Sequence, residues 1–391
     1  MKLFSCTRCE QVLFFENTVC TSCGQNVGYS QDAAALVAIP DDVRATTQVF
    51  EVKLPSGKWR RYRKCANYVE HDACNWLVNA EDADAYCRSC RLTEENGELY
   101  AADNRRAWLE IESAKRRLLY SLYALKLPVA SKADDPATGL KFRFQRGTDE
   151  RPVMTGHDAG LITLNIAEAN AAFRENMREK MGEAYRTVLG HLRHESGHYY
   201  WDHLIRGSDK LEAFRALFGN DEESYAAALK RHYDSGPPAD WRASFISEYA
   251  TMHPWEDWAE TWAHYLHMTD TLETARSHGL MLRIPGKKRE KLALEALVFR
   301  DYQSLSTGWQ AVTLALNNLN RSMGVKDAYP FVLSPRVHEK LCFVHELIAG
   351  APARLSSNSA KTRGKTAASR RSSLFSWLRP RAPSAPSSSL G

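Results

Sequence analysis

Eight of the nine cysteines in this 391-residue chain lie within its first 90 residues, and their spacing limits what that segment can fold into. Cys6-x-x-Cys9 and Cys20-x-x-Cys23 form two knuckles separated by ten residues, which lets four thiolates converge tetrahedrally on one zinc ion. Gly24 suits the tight turn after the second knuckle, and Phe14 and Phe15 between the pairs are expected to supply the small core. Cys65, Cys74, Cys87 and Cys90 make a second quartet, of which only the last two have knuckle spacing. His71 is an alternative to Cys65 or Cys74 as a ligand, but an all-thiolate site is the simpler arrangement. Disulfides would require an exported chain. The opening MKLFSCTRC places Cys6 and Arg8 where the apolar region of a signal peptide would run, so a cytoplasmic location is expected.

At 44% apolar and 25% charged residues the chain can bury a sizeable core, and no apolar stretch reaches the roughly 18–20 residues needed to span a bilayer. The formal net charge of +5 hides an asymmetry, because residues 351–391 hold six Arg and two Lys with no acid. Removing those eight cations leaves −3 for residues 1–350, which gives little reason to expect a nucleic-acid partner for the fold. The tail is rich in Ser, Ala, Pro and Arg and is expected to be disordered, with Ser373 to Leu378 (SLFSWL) as its one apolar patch.

Residues 104–126 place Trp108, Leu109, Ile111, Leu118, Leu119, Leu122 and Leu125 at largely helical spacing, as in a connecting helix. Pro128 and the polar SKADDPATG stretch mark a boundary, after which Leu140, Phe142 and Phe144 alternate with polar residues as in a strand. A second strand, Leu161 to Ile166, follows a GHDAG turn that carries His157 and Asp158. The expected organisation is α+β: a zinc-ribbon region with two four-cysteine sites at 1–95, a connecting helix within 96–130, a chemistry-bearing domain at 131–350, and the basic tail at 351–391.

That domain holds a five-residue cluster, His194-Glu195-Ser196-Gly197-His198, in a segment of helical periodicity from Glu183 to Leu204. Positions four apart share one face of a helix, so both imidazoles can reach one zinc ion while Glu195 addresses the metal-bound water. A catalytic site of this kind needs a third protein ligand and an open position. Downstream, His253-Pro254 reads as a helix start, and the helix carries Glu256, Glu260 and His264 as an i, i+4, i+8 stripe with Asp257 beside it. The helix dipole alone accounts for acids in a first turn, and a stripe turned away from Trp255, Trp258 and Trp262 can equally be solvated surface. The remaining histidines near these helices, His191, His203, His264 and His267, read as packing or surface residues.

The two helices resemble those of the gluzincin metallopeptidases, in which the second helix gives a glutamate ligand and an acid four residues on. The resemblance implies that Glu256 binds zinc and that Glu260 orients a ligating histidine from behind. Two departures are that Glu260 stands where the thermolysin-like pattern has aspartate and that 57 residues separate His198 from Glu256. The whole of residues 1–350 resembles a bacterial family of zinc-binding metallopeptidases with an N-terminal zinc ribbon. FFENTVC, CNWLV, CRSCRL, TGHDAGLITLNIAEA, HLRHESGHYYWD and MHPWEDWAETWAHYLH carry that likeness. It implies a mainly helical, zincin-like domain with a small sheet, one catalytic and two structural zinc ions, and a peptide or protein substrate. Peptide bonds would be hydrolysed by a zinc-bound water activated by Glu195. Tyr249, seven residues before Glu256, is then the candidate oxyanion donor, with His253 as an alternative donor or simply a helix cap. Leu161 to Ile166 would rim the cleft, and the ribbons would recruit a protein partner or substrate. The contrasting expectation is a non-catalytic, zinc-stabilised protein that binds protein or nucleic acid.

Overall fold

Strand alternation organises the amino-terminal region around its cysteines. A computed structural model describes residues 1–54, 56–94, 96, 99, 101–148, 153–180, 183–283, 291–296 and 301–358. β1 (Phe4–Ser5) pairs with β2 (Val12–Leu13), and β3 (Val27–Ser30) pairs with β4 (Ala35–Ala38), both antiparallel. β5 (Phe50–Lys53), β6 (Trp59–Lys64) and β7 (Leu77–Asn79) form a third antiparallel sheet, with the short helix α1 (Ala66–Val69) between β6 and β7. Along residues 12–15 exposure alternates, so Leu13 and Phe15 are buried while Phe14 is 78% exposed. Only Phe15 therefore joins the ribbon core; the expectation for Phe14 fails because neighbouring side chains of an extended segment point to opposite faces. Phe15 packs against Tyr29, which packs on Trp76, with ring centroids 4.9 and 5.0 Å apart.

Helix α2 (Ala102–Ala124) is more than a connection. Tyr120 places its ring 5.4 Å from Phe15, and Arg116 donates to the Ala73 carbonyl at 2.6 Å, so one face of α2 completes the ribbon core. Ser121 and Tyr120 donate to Asp270 and Glu273 at 2.5 and 3.0 Å, both on a helix of the carboxy-terminal part. Ile111, Leu118, Leu119 and Leu122 are wholly buried, as is the Glu112–Lys115 ion pair at 2.9 Å.

The small sheet follows. β8 (Lys141–Gln145) runs parallel to β10 (Leu161–Asn165), and β9 (Gly156–Asp158) pairs antiparallel with β10, giving the order β8-β10-β9. Phe142, Phe144, Ile162 and Leu164 point into the core at the period of two that the sequence displays. β10 stops one residue before the expected end because the Asn165 side chain accepts from Ala167 N–H and opens a 3-10 turn at Ile166.

The rest is helical: α3 (Ala171–Lys180), α4 (Val188–Leu204), α5 (Leu211–Phe218), α6 (Tyr225–Ser235) and α7 (Pro254–Ser277), then the hairpin β11 (Met281–Arg283) and β12 (Lys291–Ala293), and finally α8 (Tyr302–Ser322) and α9 (Pro335–Asn358). The helix expected from Glu183 starts at Val188 instead. Thr187 is extended and its hydroxyl accepts from Gly190 N–H at 2.9 Å, a cap that fixes the first turn. α7 begins where His253-Pro254 predicts, with His253 as its N-cap.

Helices α4 and α7 pack closely. Trp258 Nε1 donates to the Gly197 carbonyl at 2.8 Å and Trp262 Nε1 to the Ser196 hydroxyl at 3.1 Å, so the two indoles are satisfied across the contact. On the far side of α7, Lys340 of α9 pairs with buried Asp257 at 2.6 Å. Met1–Pro352 form one compact unit, and of the segment beyond it residues 353–358 are helical. The expected disordered tail and its SLFSWL patch lie, from residue 359 on, outside the described residues. Among the described residues no helix is long and apolar enough to cross a membrane.

Candidate metal centre

The contact between α4 and α7 brings His194, His198 and Glu256 together. His194 and His198 are one turn apart on α4, and Glu256 lies in the first turn of α7. His194 Nε2 is 3.0 Å from Glu256 Oε2 and 3.2 Å from His198 Nε2, and His198 Nε2 is 3.5 Å from Glu256 Oε2. Zinc bound tetrahedrally at about 2.0–2.1 Å separates its donors by roughly 3.3 Å, so the triangle has the size that the ion requires. The donor chemistry agrees. His194 Nδ1 meets Glu260 Oε1 at 2.7 Å, and a proton held there leaves Nε2 as a lone pair aimed at the shared point.

The surrounding residues hold this geometry. Glu260 Oε2 accepts from the Ser247 hydroxyl at 2.6 Å, so both oxygens of the acid behind His194 are engaged. Glu256 Oε1, the oxygen turned away from the histidines, accepts from the Tyr225 hydroxyl at 3.0 Å. His198 lies against Trp255, with ring centroids 3.6 Å apart. Glu256 is 2% exposed, Asp257 0% and His264 8%, so the acidic stripe of α7 turns inward and is not a solvated face. Beside the triangle, Glu195 Oε2 is buried with no hydrogen-bond partner among the described residues. Tyr249 brings its ring to 5.9 Å from that of His194. His253 is occupied at both nitrogens, Nδ1 accepting from Trp255 N–H at 3.0 Å and Nε2 facing the Glu223 carbonyl at 3.1 Å. It is therefore a helix cap, and the alternative role as oxyanion donor has no free nitrogen to use.

The electrostatics follow the same lines. Burial raises the Glu195 carboxyl above its usual range, with the two histidines pulling the other way. Burial would also raise Glu256 and Glu260, but the adjacent imidazoles outweigh it, holding Glu256 well below the ordinary carboxylate range and Glu260 at about 2. His157, on β9 with its ring 6.3 Å from that of His198, is held down to about 3, chiefly by burial. Its Nε2 accepts from Gly160 N–H at 2.9 Å. His264 and His267 pack against Tyr329, and His203 against Tyr199, as ordinary packing residues.

The cysteines form two further donor groups. Cys6, Cys9, Cys20 and Cys23 converge, as do Cys65, Cys74, Cys87 and Cys90. Sulfur separations of 3.8 Å (Cys6–Cys23), 3.6 Å (Cys9–Cys20) and 3.7 Å (Cys74–Cys87) match the roughly 3.8 Å edge of a zinc tetrathiolate with bonds of about 2.3 Å. His71 stays outside the second group and packs on Trp108 at 5.6 Å. Arg116 of α2 is buried next to that group, and the charge of Cys74 is the largest influence that, against burial, raises its guanidinium.

Three partners of these sites escape sequence reasoning. Tyr225 lies 31 residues before the acid it contacts and is one of 16 tyrosines, Ser247 precedes α7 in an irregular segment, and Arg116 reads as a surface residue of an amphipathic helix. None stands in a motif, and only the packing of α2, α6 and α7 brings them to their sites.

Comparison with known proteins bears on all three centres. Residues 104–347 match the family model described as "Putative zinc-binding metallo-peptidase", and residues 3–100 match a zinc-ribbon domain. Uncharacterised proteins of Mycobacterium bovis and of Mycobacterium tuberculosis are 42% identical over 349 residues, covering 89% of this chain and 95% of theirs. No solved structure matches.

Proposed function

Because the chain belongs to the putative zinc-binding metallopeptidase family, we propose that it hydrolyses peptide bonds at the centre formed by His194, His198 and Glu256. The observation that carries this reading is Glu195, a buried carboxylate with an unpartnered oxygen beside three converging donors. Zinc held by those donors supplies a Lewis acid that acidifies water and polarises a substrate carbonyl. Glu195 accepts a proton from the attacking water and returns it to the leaving amine, a role open to its buried, unpartnered oxygen. Glu260 keeps the His194 ring in one tautomer and orientation, and Ser247 steadies Glu260. Tyr249, whose hydroxyl meets that of Tyr225, is the candidate donor to the developing oxyanion and would have to turn from that partner to reach it.

The rival reading, a zinc-stabilised binding protein without activity, predicts a fourth protein ligand at this centre. Among the described residues the donor group contains three, which favours the peptidase. The two tetrathiolate groups hold structural zinc, and the ribbon surface recruits substrate or a protein partner. The experiment is a digest of a peptide library by wild type and by Glu195→Gln. Cleavage by wild type that disappears in Glu195→Gln, with zinc content unchanged, supports the reading. Equal cleavage by both proteins excludes Glu195 as the base.

A further inference from the structure

We infer that Tyr225 is the positioning residue that keeps Glu256 a one-oxygen ligand, a role that rests on the metal centre proposed above. The two oxygens of Glu256 have different surroundings. Oε2 faces His194 Nε2 at 3.0 Å and His198 Nε2 at 3.5 Å, whereas Oε1 accepts from the Tyr225 hydroxyl at 3.0 Å. A carboxylate that turned both oxygens to the ion would occupy two positions of a four-coordinate site and close the one that water or substrate needs. A hydrogen bond on Oε1 satisfies that oxygen away from the ion, as partners of ligating groups do elsewhere.

The way Tyr225 is held argues for a role at this oxygen over one in packing. Tyr225 is the first residue of α6, after the Ser224 cap, and Ala228 is the only buried residue of that helix. The helix therefore contributes little core of its own. Its entry is fixed from α7: His253 Nε2 meets the carbonyl of Glu223 at 3.1 Å, and the His253 and Tyr225 rings lie 5.5 Å apart. Trp255 closes the other side, its ring 6.2 Å from that of Tyr225 and set edge-on. One helix start thus presents Glu256 and also anchors the residue that aims it. His253, occupied at both nitrogens, acts through Glu223 and not at the ion.

The test is Tyr225→Phe, which removes the hydroxyl and leaves the ring, with Tyr233→Phe on the exposed side of α6 as control. A chelator strips the helix centre while the tetrathiolate sites keep their zinc, and cobalt is then titrated in. Wild type is expected to give the strong visible absorption of a four-coordinate ion, and Tyr225→Phe the weaker bands of a five-coordinate one. Zinc affinity, measured by chelator competition, is expected to fall about 10–100-fold in Tyr225→Phe, with the melting temperature of the stripped protein and all properties of Tyr233→Phe unchanged. If Tyr225→Phe keeps the wild-type spectrum and affinity, the inference is overturned. If wild type takes up no cobalt on stripping and refilling, the metal centre itself is wrong and the inference falls with it; the two failures differ in which protein reports them.

Discussion

A methyl group on Gly197 would lie 2.9 Å from Ala259 Cα and 3.3 Å from the Ala259 carbonyl oxygen, so α4 and α7 touch backbone to backbone at the middle of the His194–His198 turn. Neither atom belongs to a flexible side chain, so relief must come from separation of the helices. Gly197→Ala is expected to destabilise the protein by about 1–3 kcal/mol, the usual range for overpacking, and to weaken zinc binding at the helix centre by moving His198 away from Glu256. Thermal melts and zinc titrations check both. Unchanged affinity would show that the helix spacing does not set the donor triangle.

Ligation and orientation should separate between the two acids of α7. Glu256→Ala is expected to lose zinc from the helix centre altogether, while Glu260→Ala keeps zinc with an affinity about 10–100-fold weaker, because it removes only the acceptor behind His194 Nδ1. Competition with a chelator of known affinity distinguishes them. Equal losses would make Glu260 a ligand.

About three zinc ions per chain are expected, from two tetrathiolate groups and one mixed site. Elemental analysis of wild type and of a variant with Cys6, Cys9, Cys20 and Cys23 changed to Ser should differ by one equivalent. Retention of all three in the variant would remove the first tetrathiolate from the account.

Acid should destabilise the fold through its buried histidines. Burial holds His157 and His191 neutral down to about 3 and His264 down to about 4, whereas the unfolded chain protonates histidine near 6.5. Their folded values are depressed, so the stabilisation is complete above pH ~6.5 and is lost as pH falls toward 4, by about 1.4 kcal/mol per pH unit for each histidine. Melting temperatures between pH 7 and 4.5 should therefore fall less steeply in His264→Gln than in wild type. Parallel profiles would mean that His264 is charged in the folded protein.

The parts of this molecule that were legible beforehand are those in which chemistry imposes a spacing. Knuckle intervals, two histidines one helical turn apart, and a His-Pro helix start are each dictated by local geometry, and they led to the cysteine groups, α4 and the start of α7. What stayed hidden depends on tertiary packing. No local signal announces that Tyr225 crosses to Glu256, or that Phe14 and Phe15, identical in type, go to opposite faces. The start of α4 was obscured because Glu183 to Arg186 continue a helical apolar pattern, and only the Thr187 cap ends it. The assignment of Glu256 as a ligand came from family resemblance, since two acids in a first helical turn have an adequate explanation in the helix dipole.

Arg116 gives the amino-terminal zinc a reach beyond its own module. A zinc tetrathiolate carries two negative charges, and Arg116 is the buried cation set against the second one, on a helix whose other side touches α7 through Ser121 and Tyr120. Loss of zinc there would remove one of the negative charges that hold Arg116, leaving it with Glu112 and the Ala73 carbonyl in the wall shared by both halves of the molecule. Loss of that zinc would thus be felt along α2 as far as its contacts with α7, whatever occupies the helix centre. Protease sensitivity of α2 on withdrawal of the ribbon zinc alone would register that dependence.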